Sequence, residues 1–173
     1  MPNDSTRSAT IREATASDAA PIAAIYDHYI LKTVVTFEEE PVSDAEIARR
    51  IEEVRAASLP WLVAEAEGHV LGYAYARPWH ARSAYRFSVE STIYLAHDAV
   101  GRGVGTELYG ALLAQLPARR IHAVLGGIAL PNPASVALHE KLAFRKVAEL
   151  AEVGFKFERW IDVGYWQRLL VAS

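Results

Sequence analysis

The chain has 173 residues, a formal net charge of −3, a pI near 6.1 and no cysteine. The lack of a basic surplus disfavours a nucleic-acid-binding protein. The lack of cysteine excludes disulfides, thiolate nucleophiles and cysteine-ligated zinc. Apolar runs fall short of the roughly 18 residues that cross a bilayer. We therefore expect one cytoplasmic domain over residues 10–171, bound to neither nucleic acid nor membrane, behind a disordered N-terminus of residues 1–9.

The first half of the chain predicts a strand, two helices and a hairpin. The strand is expected at Thr10–Ala14, and the first helix begins near Ser17, a favourable N-cap residue. Ser43 and Glu46 have the S-x-x-E spacing of a capping box, which predicts a second helix to about residue 57. Trp61–Ala66 and Val70–Trp79 then predict a hairpin with its turn at residues 67–69.

The second half predicts further strands separated by two helices. The predicted elements are strand Tyr85–Leu95, a helix after the Gly101–Gly105 turn, strand Ile121–Ala129, a helix from Asn132-Pro133 to about Leu142, and strands Phe144–Val153 and Ile161–Leu170. The order β-α-α-β-β-β-α-β-α-β-β indicates a mixed α/β sheet with helices on its faces.

A glycine-rich turn at Val100–Thr106 precedes an amphipathic helix. Its alternating glycines allow backbone N–H groups to point into one concavity, and the helix N-terminus adds partial positive charge, which together favour a phosphate ligand. The dinucleotide pattern G-x-G-x-x-G fails because Thr106 and Leu108 stand where its third glycine could fall, and no P-loop Lys follows. A tight strand-to-helix turn without a ligand remains an alternative.

Gly126 and Gly127 interrupt an apolar strand just before the predicted helix start at Asn132-Pro133. Glycine inside a strand often marks a bulge or a close backbone approach. If the strands around Ser91–Leu95 and Ile121–Ala129 splay near these glycines, an extended ligand could lie between them and bond to their free edges.

Three segments resemble the GNAT acetyltransferase superfamily, whose usual core is R/Q-x-x-G-x-G/A followed by N-x-x-A-x-x-L-Y-x-K-x-G-F. They are T-I-Y-L at Thr92–Leu95, V-G-R-G-V-G at Val100–Gly105 and N-P-A-S-V-A-L-H-E-K-L-A-F at Asn132–Phe144. A closer resemblance to its phosphinothricin N-acetyltransferase branch covers nearly the whole domain and rests on Thr36–Pro41, Pro78–Leu95 and Val153–Gln167.

The resemblance implies a single-domain α/β fold of GNAT type, with a mixed, mostly antiparallel sheet flanked by helices and splayed central strands. It implies acetyl-CoA as co-substrate, with its pyrophosphate on the glycine turn and its pantetheine between the strands, and a homodimer; no metal is expected. The residues implied for the cofactor are Ile93, Tyr94, Leu95, Gly101, Arg102, Gly103, Val104, Gly105, Thr106, Asn132 and Ser135.

Three positions depart from the family pattern. Val100 replaces the Arg or Gln that opens the turn. If backbone amides do most of the cofactor binding, this replacement should weaken that binding only modestly. Ala143 replaces the glycine before Phe144, which we interpret as a packing detail. His80 stands where related enzymes can carry Lys, which leaves the exact substrate open.

Glu90 and His139 are the candidate catalytic residues. Acetyl transfer needs a general base because the substrate ammonium must lose a proton. Glu90 is unusual in mid-strand, and the resemblance assigns it this role, although an alternating polar strand face also explains it. His139 occupies the position where many superfamily members have a Tyr near the CoA sulfur. It could aid proton transfer, or serve only as a capping or packing residue.

The substrate is expected to be a small amino acid with an anionic group. Arg82 could bind a carboxylate or phosphinate bidentately. The resemblance adds His80, Tyr85 and Phe37, and it implies that Tyr109 reaches a neighbouring subunit's pocket.

The resulting hypothesis is an acetyl-CoA-dependent N-acetyltransferase that acts on phosphinothricin, methionine sulfoximine, methionine sulfone or a similar amino acid, with Glu90 as the base. One alternative is a non-catalytic acyl-CoA-binding sensor, and another is an N-acetyltransferase for a different amine or for protein. Glu90 with Arg82 favours the small-molecule enzyme, because a sensor needs neither a base nor a carboxylate-binding group.

Overall fold

The structure is a computed structural model that describes residues 9–170. Of the N-terminus predicted to be disordered, only Ala9 is described, and it packs partly buried against a core cluster; the predicted domain end at residue 171 also lies outside. The described part forms strands and α-helices in the predicted order: β1 Thr10–Glu13, α1 Ala19–Lys32, α2 Asp44–Ala56, β2 Trp61–Ala66, β3 His69–Pro78, β4 Ser88–Leu95, α3 Val104–Gln115, β5 Ala123–Ala129, α4 Pro133–Lys141, β6 Arg145–Lys156 and β7 Arg159–Leu169.

The strands form one sheet in the order β1-β2-β3-β4-β5-β7-β6, in which only the central β4–β5 pair is parallel. Those two strands pair only along Ser88–Glu90 and Ala123–Leu125. Beyond that point β4 runs on to Leu95 and β5 to Ala129 without pairing to each other. The mixed, mostly antiparallel sheet with splayed central strands is thus confirmed.

Alternation along β2 divides the core between the two faces of the sheet. Leu62 and Ala64 lie in a cluster with the apolar residues of α3, whereas Trp61 and Val63 lie in a second cluster with those of α1 and α2. A fully buried aliphatic side chain contributes about 1.5–3 kcal/mol to the stability of the fold. The buried residues of each cluster therefore hold their helices against one face of the sheet. The β2–β4 part of the sheet is therefore covered by helices on both sides, whereas β6 is largely exposed.

Several predicted boundaries are wrong. Strand β5 begins at Ala123 rather than Ile121. Strand β6 ends at Lys156 rather than Val153, and β7 begins at Arg159 rather than Ile161, because the β6–β7 pairing continues to the turn between them. Helix α1 begins at Ala19 rather than near Ser17, because the Asp18 carboxylate accepts a hydrogen bond from the Thr15 N–H (2.7 Å) and closes a short 3₁₀ turn first. Strand β4 begins at Ser88 rather than Tyr85, because Ser83–Tyr85 form a 3₁₀ turn.

Two predicted helix caps are confirmed. Ser43 Oγ accepts from the Glu46 N–H at 3.2 Å, although the Glu46 carboxylate binds Arg49 and Arg50 and does not complete the box. Asn132 Oδ1 accepts from the Ser135 N–H at 3.1 Å, which starts α4. None of the helices within residues 9–170 is long and apolar enough to cross a membrane.

Candidate active site

A cavity of about 690 Å³ opens where β4 and β5 separate. Its wall includes residues of α1, β3, β4, β5, α4 and the β6–β7 hairpin, together with the loop that follows α1. The predicted site residues that line it are Phe37, Glu90, Ile93, Tyr94, Asn132, Ser135 and His139. The structure therefore brings both candidate catalytic residues to one cavity.

The Glu90 carboxylate is held by an arginine on the neighbouring strand. Glu90 and Arg77 lie directly opposite each other in the β3–β4 register. Glu90 Oε2 accepts from Arg77 Nε at 2.8 Å and from Nη2 at 2.5 Å. Burial alone would lower the pKa of Arg77, but the Glu90 carboxylate outweighs it, and the pKa of Arg77 is raised. The Arg77 guanidinium is therefore charged.

The second oxygen of Glu90 accepts no hydrogen bond from any residue of the described range 9–170. It lies near Gly127 on β5, where an added Cβ would be 3.6 Å from Oε1. The Glu90 side chain is 19% exposed. One carboxylate oxygen is thus fixed, and the other stays open to a ligand in the cavity.

Ser91 follows Glu90 but points to the opposite face of β4, as strand alternation requires. There its hydroxyl lies 2.7 Å from the Tyr109 hydroxyl, which lies 3.1 Å from His139 Nε2. Tyr109 is fully buried, so the expectation that it reaches a neighbouring subunit's pocket is wrong. The two catalytic candidates approach the cavity from opposite faces, through the gap between β4 and β5.

His139 is buried, with a partner at each ring nitrogen. Its Nδ1 lies 2.8 Å from the Ser135 carbonyl, which can only accept, so Nδ1 carries the proton. In the neutral ring Nε2 is then the acceptor for the Tyr109 hydroxyl. Burial lowers the pKa of His139, and the bond to Ser135 opposes this only in part. The imidazole is therefore held neutral in one orientation.

The glycine turn has the backbone geometry that its sequence predicts. Gly101 and Gly103 have φ of +81° and +84°, in the left-handed region. Gly103 is the N-cap of α3, so the N–H groups of Val104 and Gly105 lack intrahelical acceptors. A Cβ on Gly101 or Gly103 would meet no atom within 4 Å, so open space lies beside the turn. The turn thus fits a phosphate group that binds backbone amides.

The residues in and beside the turn that were predicted to bind the cofactor differ in how far their side chains are exposed. Arg102 is exposed, Thr106 is half-buried, and the Val104 side chain belongs to the core, so only its backbone can meet a ligand. Gly105 lets α3 approach β4, because an added Cβ would be 3.2 Å from Leu95 Cδ1. The Leu95 carbonyl accepts from the Tyr29 hydroxyl at 2.7 Å.

The comparison with known proteins agrees with this geometry. The family described as acetyltransferase (GNAT) domain matches residues 11–164. A phosphinothricin N-acetyltransferase of Streptomyces viridochromogenes is 44% identical over 162 residues, which are 94% of this chain and 88% of that protein. The chain belongs to the GNAT acetyltransferase family. It is an N-acetyltransferase similar to phosphinothricin acetyltransferases.

Two further relatives extend the comparison. An L-methionine sulfoximine/L-methionine sulfone acetyltransferase of Pseudomonas aeruginosa is 35% identical over 161 residues, covering 92% of this chain and 94% of that protein. The crystal structure of a GNAT superfamily phosphinothricin acetyltransferase from Sinorhizobium meliloti in complex with acetyl-CoA superposes with a TM-score of 0.91 at 40% identity, covering 94% of this chain and 89% of that one.

One departure from the GNAT motif has a backbone consequence. Ala143, where the motif has glycine, has a φ of +63°. A residue with a Cβ is strained in that region by about 1–2 kcal/mol. The interpretation of Ala143 as a packing detail is therefore wrong, because the glycine of the motif relieves backbone strain just before β6.

In this GNAT acetyltransferase the loop that follows α1 and carries Phe37 is held by two hydrogen bonds at Thr36. The Tyr26 hydroxyl lies 2.7 Å from Thr36 Oγ1, and the buried Lys156 ammonium donates to the Thr36 carbonyl at 2.8 Å. Burial lowers the pKa of Lys156. The Phe37 ring then lies directly on Gly154, where any side chain would collide with it. Phe37 is thereby placed over the cavity.

His80, Arg82 and Tyr85 do not line the cavity. They lie exposed on the connection between β3 and β4. Trp79 links this connection to the site, since its ring contacts that of Tyr165, a lining residue, at 5.5 Å in a T-shaped arrangement. The structure therefore places this predicted substrate group beside the cavity rather than within it.

The guanidinium groups that line the cavity are those of Arg50 and Arg77, which sequence reasoning missed. Arg50 is on α2, where it binds Glu38 at 2.7 Å and Glu46 at 2.9 Å. Arg77 faces Glu90 only because of the register between β3 and β4. In the sequence, the position of Arg77 at the end of a predicted strand is only a weak indication that it lies at a functional site.

Proposed function

We propose that this protein transfers the acetyl group of acetyl-CoA to the amino group of phosphinothricin or a similar small amino acid, such as methionine sulfoximine or methionine sulfone. The observation that carries the proposal is the free Oε1 of Glu90, which lies in a cavity that opens between splayed strands. The names of the relatives supply the acetyl donor and the class of acceptor.

The residues of the chain fit acetyl-CoA on both sides of the gap. Amides at the start of α3 can bind a pyrophosphate, and the unpaired edges of β4 and β5 can bond to an extended pantetheine. The cofactor supplies a thioester, whose acyl carbon is open to an amine. The residues that would hold it are the turn Gly101–Gly105, the edge Ile93–Leu95, and Asn132 and Ser135 at the start of α4.

Glu90 is the proposed general base. Its Oε1 removes a proton from the substrate ammonium, and the nitrogen lone pair then attacks the acyl carbon. A carbon–nitrogen bond forms and the carbon–sulfur bond breaks. The nitrogen, cationic after the attack, loses its second proton to become the amide, and the sulfur leaves as a thiolate that takes up one proton, so the overall reaction releases one proton. Glu90 is suited to this because Arg77 fixes its other oxygen and its side chain is largely shielded from water.

His139 is proposed to assist at the leaving sulfur. In its neutral form the imidazole cannot give up the Nδ1 proton without breaking its bond to Ser135. The Tyr109 hydroxyl that bonds Nε2 is fully buried and does not line the cavity, whereas His139 does. The Ser91–Tyr109 chain would thus orient the imidazole, and His139 is the member of that chain that a leaving sulfur in the cavity can reach.

A homodimer is part of the proposal. On the β6–β7 hairpin large apolar side chains are exposed in the described part of the chain, including Val153, Phe155, Phe157 and Trp160, the last at 62%. Neighbouring exposed apolar side chains mark interaction surfaces, and a twofold dimer is the commonest closed oligomer. Light scattering at micromolar concentration should give twice the monomer mass, and Trp160→Asp should shift it toward the monomer. A monomeric wild-type protein would exclude the dimer.

The activity is tested by thiol release from acetyl-CoA across a panel of acceptors. The panel comprises phosphinothricin, methionine sulfoximine, methionine sulfone, glutamate, a simple alkylamine and a peptide with a free N-terminus. We expect rapid release with the first three. Release with the peptide alone would indicate protein acetylation, and acetyl-CoA binding without release for any amine would indicate a sensor.

A further inference from the structure

The cavity contains an ion pair whose two charges remain partly available. Both bonds of the Arg77–Glu90 pair use the same carboxylate oxygen, Oε2. Within residues 9–170, Glu90 Oε1 accepts no hydrogen bond and Arg77 Nη1 donates none. The Arg77 side chain is 57% exposed. A ligand that carries both charges could therefore bind both members without separating them.

The other arginines near the site are less suited to a substrate anion. The Arg50 guanidinium is already shared by two carboxylates, those of Glu38 and Glu46. Arg82 is exposed and does not line the cavity. Arg77 has a single acidic partner, and that partner is the proposed base.

An α-amino acid matches this pair in charge and spacing. Its ammonium nitrogen and its carboxylate carbon are bonded to the same carbon atom, so its two charges are as close as those of a hydrogen-bonded ion pair. If the ammonium lies at Glu90 Oε1, the carboxylate is within reach of the adjacent guanidinium. An arginine suits a carboxylate because its donors form a planar fork.

We propose that Arg77 is a specificity-determining residue that binds the α-carboxylate of the acceptor while Glu90 binds its amine. The proposal rests on the proposed function. It assigns the selection of amino acids over simple amines to the cross-strand pair, and not to Arg82. Glu90 holds the guanidinium in the cavity through Oε2, so the pair acts as one recognition element.

A purely structural role for Arg77 predicts little effect on selectivity. Arg55 provides a control of equal side-chain exposure, 57%; it pairs with the exposed Glu52 at 2.8 Å on α2 and also donates to the Ala14 carbonyl. A surface pair of this kind contributes about 0–1 kcal/mol to folding. Glu90 is only 19% exposed, so Arg77→Ala should lower the melting temperature more than Arg55→Ala does, which is why selectivity and not stability is the readout.

The test compares methionine sulfone with its decarboxylated analogue, 3-(methylsulfonyl)propylamine. The quantity measured is the ratio of kcat/KM for the amino acid to kcat/KM for the amine. A ratio from one preparation does not depend on the fraction of folded enzyme. Arg77→Ala should lower the ratio by about 10- to 100-fold, the effect of losing one charge-assisted pair. Arg77→Lys should restore part of it, the KM for acetyl-CoA should not change, and Arg55→Ala should keep the wild-type ratio.

The outcomes separate this proposal from the proposed function. If wild-type enzyme acetylates methionine sulfone and Arg77→Ala keeps the wild-type ratio, the role of Arg77 is overturned and the function stands. If Arg82→Ala lowers the ratio and Arg77→Ala does not, the carboxylate site lies on the β3–β4 connection instead. If the wild-type enzyme releases no thiol with any amine, the function itself fails.

Discussion

The imidazole of His139 lies against the backbone of Gly126, where an added Cβ would be 2.5 Å from Nε2. The ring cannot turn away easily, because Ser135 and Tyr109 hold its two nitrogens. We expect Gly126→Ala to lower the free energy of unfolding by about 1–3 kcal/mol, the usual cost of overpacking. Denaturant unfolding measures this. The same substitution in a His139→Ala background should cost much less, and equal costs in both backgrounds would contradict the contact.

His139 should make the fold sensitive to mild acid. Burial lowers the pKa of His139 in the folded state below its ordinary value of 6.5. Below pH 6.5 the unfolded chain therefore binds a proton that the folded chain does not, so stability is complete above pH 6.5 and falls as the pH drops. Melting temperatures from pH 7.5 to 5 should fall less steeply for His139→Gln than for wild type. The exposed His122 is the control, and His122→Gln should keep the wild-type slope.

Glu90→Gln should abolish general-base catalysis and leave cofactor binding intact. The amide keeps the size of the side chain but cannot take the proton from the ammonium, so kcat/KM at pH 7 should fall by about 10²–10⁴. The deficit should shrink toward pH 9.5, because free amine then becomes abundant without enzymic help. Kinetics from pH 6.5 to 9.5, with calorimetry for acetyl-CoA, measure both effects. Near-wild-type activity at pH 7 in a folded variant would exclude Glu90 as the base, and Glu52→Gln on α2 is the silent control.

Gly103→Asn should weaken acetyl-CoA binding without unfolding the protein. Asparagine tolerates the left-handed φ of +84°, so the turn keeps its shape while a side chain enters the space beside it. We expect at least about a tenfold increase in the Kd for acetyl-CoA, with little change in melting temperature. Gly110→Ala on α3, where a Cβ meets nothing within 4 Å, should leave binding unchanged. Unaltered affinity in the Asn variant would remove the turn from the phosphate site.

Ala143→Gly should stabilise the protein. Glycine relieves the strain of a φ of +63°, and after the added flexibility of the unfolded chain the net gain is about 1 kcal/mol. For a domain of this size the melting temperature should rise by about 2–4 °C. Ala137→Gly, in the middle of α4, should do the reverse, because glycine weakens a helix interior. A lower melting temperature for Ala143→Gly would show that the methyl group packs usefully.

Local sequence signals were sufficient for the order of elements and the backbone of the turn. The period of the apolar residues identified the helices and strands, and Ser43 and Asn132 set helix starts through bonds to an amide three residues on. Gly101 and Gly103 indicated the left-handed turn because glycine adopts such angles freely. These signals act over a few residues, so the sequence contains them directly. They also predicted the gap at Gly126-Gly127, where neither glycine offers a side chain to pack.

The tertiary structure decided which residues line the cavity. Arg77 meets Glu90 through strand register, and the nine-residue connection between β3 and β4 leaves that register undetermined in the sequence. The same connection carries Arg82 outward, although its position in the motif suggested a substrate contact. Tyr109 was assigned to a neighbouring subunit, yet it is buried against His139, because helix α3 packs its face onto the sheet. Side chains far apart in sequence meet only where two elements pack, so their contacts depend on the whole fold and on no local pattern.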